Sequence, residues 1–102
     1  MITCSFFKSN GKYVRFRISG HSGYAESGSD IVCAAVSSMA MLTINNITDS
    51  FGIDSSVSAD EESATIDFAL KSEDERGCIL IAGLMRELMI LAADYPNNVR
   101  VK

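Results

Sequence analysis

The sequence predicts an α+β fold: a two-layer sandwich in ββαββαβ order, with a mixed or antiparallel sheet packed by two helices. Two stretches alternate apolar and polar residues on either side of short polar turns, the mark of strand pairs with one buried face. Two longer stretches space apolar residues three and four apart, giving each helix a stripe that needs a surface to cover. Half-apolar strands supply that surface, so the helices pack on one or both faces of the sheet.

In the first pair, Ile2, Cys4 and Phe6 alternate up to the turn SNGK, and Val14, Phe16 and Ile18 alternate after it, with Tyr13, Arg15 and Arg17 opposite. Asn10-Gly11 is the dipeptide that tight hairpins favour, because both central residues need positive φ. A glycine-rich loop follows, then Val32, Val36, Met39, Thr43, Ile47 and Phe51 at helical spacing, with Gly52 as the stop. Val57 and Ala59, the acidic turn DEE, and Ala64, Ile66, Phe68 and Leu70 make the second pair. KSEDERG reads as a charged linker. Beyond it, Ile81, Leu84, Met85, Leu88, Leu91, Ala92 and Tyr95 trace the second helix until Pro96 ends it, and VRVK forms a last short strand.

A chain of 102 residues fits a single domain, residues 1–102. Its apolar fraction of 47% and charged fraction of 22% suit a globular protein, not a disordered one. The net charge of −4 argues against direct nucleic-acid binding, which depends on Lys and Arg neutralising phosphates. The N-terminus lacks the charged, apolar and small-residue pattern of a secretory signal, and the apolar run CILIAGLM is too short to span a bilayer, so no membrane role is expected. Three cysteines, Cys4, Cys33 and Cys78, are far apart with no CxxC pair and one histidine, His21, to assist them. This argues against a disulfide framework and a zinc site, and favours a reducing cytoplasm.

The chemistry gathers in GHSGYAESGSDIVCAAVSSM. Ser29 or Asp30 caps the first helix, which puts Cys33 in the first turn, where free N–H groups and the positive end of the helix dipole favour a thiolate and a developing oxyanion. His21 lies twelve positions earlier, and the loop between is long enough to bring imidazole to sulfur. Ser37, four residues after Cys33, shares its helix face. Asp30 orients His21 as the third group of a triad or simply caps the helix, and the geometry allows both at once. Plainer readings stand beside these. Free cysteine is among the most buried residue types, the role expected of Cys4 and Cys78; a lone histidine at a strand end is commonly a surface residue; the glycines serve turns.

The same stretch resembles the signature of the Prp family, the ribosomal-processing cysteine proteases, in which a Gly-His dipeptide is joined through a loop to Asp-Ile-Val-Cys-Ala-Ala-Val-Ser. Chain length, element order and the closing YPNNVRV are similar too, while Ser22 stands where an alanine is common. The resemblance implies a cytoplasmic, generally homodimeric endopeptidase that removes a short N-terminal extension from a large-subunit ribosomal protein. It implies Cys33 as nucleophile and His21 as base, Asp30 and Ser37 at the supporting positions, and the loop glycines Gly20, Gly23 and Gly28 in a substrate cover. No metal and no cofactor are implied. Two other classes stay beside it: a noncatalytic ribosome-associated binding module of the same fold, and a thiol-redox protein cycling Cys33.

Overall fold

The computed structural model describes residues 1–26 and 30–102; Gly28 of the expected cover and Ser29 of the alternative cap lie outside the described residues. The elements follow the expected order: β1 (Ile2–Ser9), β2 (Lys12–Ser19), α1 (Ile31–Asn45) running into a π turn (Asn46–Ser50), β3 (Ser55–Asp60), β4 (Thr65–Leu70), α2 (Glu75–Asp94) and β5 (Val99–Val101). In the β1–β2 turn, Asn10 (φ 52°) and Gly11 (φ 78°) both take the left-handed backbone that this dipeptide tolerates best.

The sheet runs β3-β4-β2-β1-β5. Its pairs are antiparallel except for the parallel β1–β5 pair, so the sheet is mixed. Ile2 and Cys4 of β1, Phe16 and Ile18 of β2, and Phe68 and Leu70 of β4 are all buried. Spaced two apart, they point to one face of the pleat. Phe16 pairs with Phe68 in register, their rings 5.3 Å apart and stacked, and Phe6 lies 6.0 Å from Phe16. The buried residues of both helices join this same cluster, so both helices lie on one face. On the other face Arg15 forks onto Asp67 at 2.9 and 2.7 Å and lies over the Phe7 ring.

Two helix details differ from the sequence reading. The buried ridge of α1 is Val32, Val36, Ala40 and Ile44, one residue past Met39 and Thr43, because a straight helix carries every fourth residue along nearly the same line. Thr43 instead turns its hydroxyl back to the Met39 carbonyl at 2.8 Å. The π turn returns Ile47 to the core and leaves Phe51 exposed before Gly52 (φ 62°) ends the run. At α2, the supposed linker already contains the helix start: Asp74 caps it, accepting from the Arg76 amide at 2.9 Å, and Gly77 is buried. A Cβ at Gly77 would sit 2.8 Å from the Leu70 side chain, so glycine is what lets the first turn meet β4.

Residues Ile31–Ser50 form a helix that is, by length and composition, long and apolar enough to cross a membrane, unlike the shorter run CILIAGLM in α2. Its ridge packs on the sheet as that of a core helix does.

Candidate active site

Three structural features converge at one end of the sheet. β2 ends at Ser19, and Gly20 extends its ladder by one bond, donating to the Ala64 carbonyl at 3.1 Å. Gly20 then turns the chain with φ 97°, passing so close to β1 that a Cβ would run into the Met1 carbonyl oxygen. Side chains rarely adopt that backbone, and here they would have no room. His21 follows immediately, exposed, with its carbonyl held by the Met1 ammonium.

The N-terminus of α1 faces it. Asp30 is the cap: extended backbone (φ −83°, ψ 98°), Oδ1 accepting from the Cys33 amide at 2.9 Å, and its own carbonyl accepting from the Ala34 amide at 3.1 Å. Its second carboxylate oxygen accepts the hydroxyl proton of Ser22, a buried residue. That hydroxyl above all, and then the Cys33 amide, hold the Asp30 carboxyl below its ordinary range. Of the two roles open for Asp30, the carboxylate is therefore occupied with capping and with Ser22. Among the described residues, Asp30 accepts no hydrogen bond from His21. The cap also takes the Cys33 and Ala34 amides, two of the helix-start donors expected to face an oxyanion.

Cys33 is half-buried on the first turn of α1, and Ser37 one turn on is exposed. His21, Cys33 and Ser37 line two adjoining cavities. One, of about 270 Å³, runs between α1 and the β3–β4 turn; its walls include Ile2, Ile18, Val36 and Ile66, with Asp60 and Glu61 at the rim. The other, of about 500 Å³, lies on the loop side and adds Gly23, Ala25 and Asp30. The three residues thus stand where the two cavities meet. Gly20 borders the first cavity and Gly23 (φ 69°) the second. An extended peptide laid across both would pass the sulfur and the imidazole.

The other thiols have different surroundings. Cys4 is fully buried, and burial pushes its thiol up to about 12. Cys78 is buried in the first turns of α2 and is also raised, chiefly by desolvation. Neutral, packed thiols are poor nucleophiles.

The sequence reading missed two parts of this site. One is the wall from β3 and β4, whose Ala59, Asp60, Glu61 and Ile66 reach Cys33 only through tertiary pairing and carry no local signal. The other is the support behind the loop: Asn98 donates to the Ser22 carbonyl at 2.9 Å, and Tyr24 meets Tyr95 edge-on at 5.4 Å. The sequence signal for it lies in the closing YPNNVRV, which holds both Tyr95 and Asn98.

Known proteins resemble this arrangement closely. A family model described as "Cysteine protease Prp" matches residues 1–100. The chain is 28% identical over 107 residues to the ribosomal processing cysteine protease Prp of Bacillus subtilis, covering 99% of this chain and 96% of the relative. The S. aureus ribosomal processing protease Prp, solved with a covalently linked product peptide, has a TM-score of 0.91 at 21% identity, covering 100% of this chain and 98% of that one. SMU.848 from Streptococcus mutans has a TM-score of 0.85 at 29% identity, covering 100% of this chain and 92% of that one.

Proposed function

The chain belongs to the Prp family of cysteine proteases, and from that premise we propose that it removes a short N-terminal extension from a ribosomal protein of the large subunit, with Cys33 as nucleophile and His21 as base. The observation that carries the assignment of residues is the shared lining: His21 and the half-buried thiol of Cys33 border the same two adjoining cavities, while the other thiols are packed away. The substrate class is supported by the B. subtilis relative, a ribosomal processing protease.

In the proposed reaction, the Cys33 thiol gives its proton to His21 and the sulfur attacks the scissile carbonyl, forming a C–S bond. The positive end of α1 stabilises the oxyanion through its field. His21 passes the proton to the leaving amine as the C–N bond breaks, leaving a thioester on Cys33. Water, deprotonated by His21, then attacks the thioester carbonyl; the C–S bond breaks, the new carboxyl product leaves, and the proton held on His21 returns to the Cys33 sulfur. Asp30 fixes the first turn of α1 as its cap, and Ser37 borders the peptide path. No nucleic acid and no membrane enters this scheme. A thiol-redox cycle would need a resolving cysteine, and Cys4 and Cys78 are both buried.

The proposal also includes a cytoplasmic homodimer. Leu42 on α1 and Ile79 on α2 stay 64% and 60% exposed beside a groove that also holds Arg86 and Glu87. Light scattering tests it: Leu42→Glu with Ile79→Glu should halve the mass, and an unchanged mass places the contact elsewhere.

The cleavage itself is tested with a peptide spanning the extended N-terminus of the large-subunit protein from the same cell. Wild type should release the extension at one bond, and His21→Ala should slow this by about a hundredfold or more. An encoded N-terminus without any extension would remove the substrate from the proposal.

A further inference from the structure

We infer that Ser22 is a positioning residue for the proposed cleavage: its buried hydroxyl ties the His21 end of β2 to the Asp30 cap of α1, so that imidazole and thiol are held in one frame. The inference rests on the protease reading for what the frame serves, and on geometry for its existence.

Ser22 is 1% exposed, and it is the polar residue that the core takes in among those described. Its hydroxyl and its carbonyl are both hydrogen-bonded. The hydroxyl donates to the Asp30 carboxylate and accepts from the Tyr24 amide at 3.1 Å, while the carbonyl accepts from Asn98 at 2.9 Å. On the far side of the carboxylate, Oδ1 accepts from the Cys33 amide. A continuous path thus runs from the α2–β5 turn through Asn98, Ser22 and Asp30 to the backbone of Cys33, and His21 is joined to Ser22 by a peptide bond.

The path explains an otherwise awkward feature of the site. His21 and Cys33 sit on different segments, His21 exposed and Cys33 half-buried, and among the described residues the hydrogen bonds through Ser22 and Asp30 join the two backbones. The Ser22 hydroxyl is itself buried, so its hydrogen bond to the half-buried Asp30 carboxylate is sheltered from water on the Ser22 side and fixes one segment against the other. Alanine at this position would keep the turn and lose the tie, leaving Asp30 free to rotate away from its cap geometry.

Four proteins test this: wild type, Ser22→Ala, Asp30→Asn and the double variant, each measured for peptide cleavage, melting and the NMR titration of the Asp30 carboxyl where it is present. Ser22→Ala should lower kcat by about tenfold while KM stays within about twofold, the pattern of a misplaced reacting group and not of a lost binding contact. The Asp30 carboxyl should titrate at higher pH in Ser22→Ala, because the hydroxyl is the leading cause of its low value. The double variant should be little worse than the poorer single one, since both break one path. A wild-type kcat in Ser22→Ala, an unmoved Asp30 titration, or fully additive losses would each overturn the inference. If wild type itself leaves the peptide intact, the protease reading falls, and alkylation of Cys33 then decides the tie on its own. On a Cys4→Ser, Cys78→Ser background, Ser22→Ala should slow alkylation by about threefold or more, and equal rates would refute it.

Discussion

At the scale of single residues, the three thiols share one chemistry and differ only in surroundings. Cys4 lies in the core with its thiol raised to about 12, Cys78 is buried in α2, and Cys33 borders two open cavities. Native protein treated with iodoacetamide at neutral pH and mapped by mass spectrometry should therefore carry label at Cys33 first, with Cys4 unmodified until the chain unfolds. Label appearing first on Cys78 would contradict the ordering of environments described above. Asp30 makes a similar point about carboxylates. Its position leaves capping, imidazole orientation or both together open in the sequence, because each needs the same residue type near a helix start; the structure shows the cap and the bond from Ser22.

At the scale of elements, the two loop glycines bordering the site part company. Gly20 combines φ 97° with a collision between any Cβ and the Met1 carbonyl, whereas Gly23 has φ 69° and open space around it. Gly23→Ala should cost about 1 kcal/mol, from backbone strain alone. Gly20→Ala should cost more than that, because the Met1 carbonyl belongs to the backbone at the start of β1 and has no rotamer by which to move aside. Urea unfolding checks both, and equal losses would show that the close approach to β1 carries no energetic weight. The same distinction shows why parts of the fold were legible in the sequence and others were not. Alternation and the Asn10-Gly11 turn located β1 and β2, since period-two patterning reports directly on a one-sided sheet. Gly77 read as linker because its neighbours are charged; the Asp74 cap starts the helix ahead of it, and the closeness of Leu70 from β4 shows only in the packed structure. The ridge of α1 slid by one residue for a related reason. Met39 and Thr43 are as well spaced as Ala40 and Ile44, and only the packed sheet chooses between the two lines. At the site, His21 and Cys33 were legible as types at suggestive spacing, while the cavity wall from Ala59 to Ile66 depends on the β3–β4 pair being brought across to α1.

For the molecule as a whole, acid should be the sensitive direction. Asp30, Asp67 and Asp74 all have carboxyls held below the ordinary range, by Ser22, Arg15 and Arg76 respectively as the leading partners. Each binds its proton less readily folded than unfolded. The stability they contribute is therefore complete above the unfolded aspartate value of about 3.9 and is lost as pH falls through the lower folded values. Melting temperature should be flat from neutral pH down to about 5 and then fall; Asp67→Asn should blunt the fall, and a curve as steep as wild type would remove the Arg15 pair from the account. The claim that binds the scales together is that Cys33 does chemistry while the sheet and helices hold it in place. Its most direct measurement is Cys33→Ala, assayed for melting, peptide binding and cleavage on one preparation. A half-buried thiol bordering a cavity contributes little packing, so melting should move by about 2 °C or less, the extension peptide should still bind, and cleavage should be undetectable. A Cys33→Ala protein that cuts the peptide at a measurable rate would contradict the account, whatever its melting temperature.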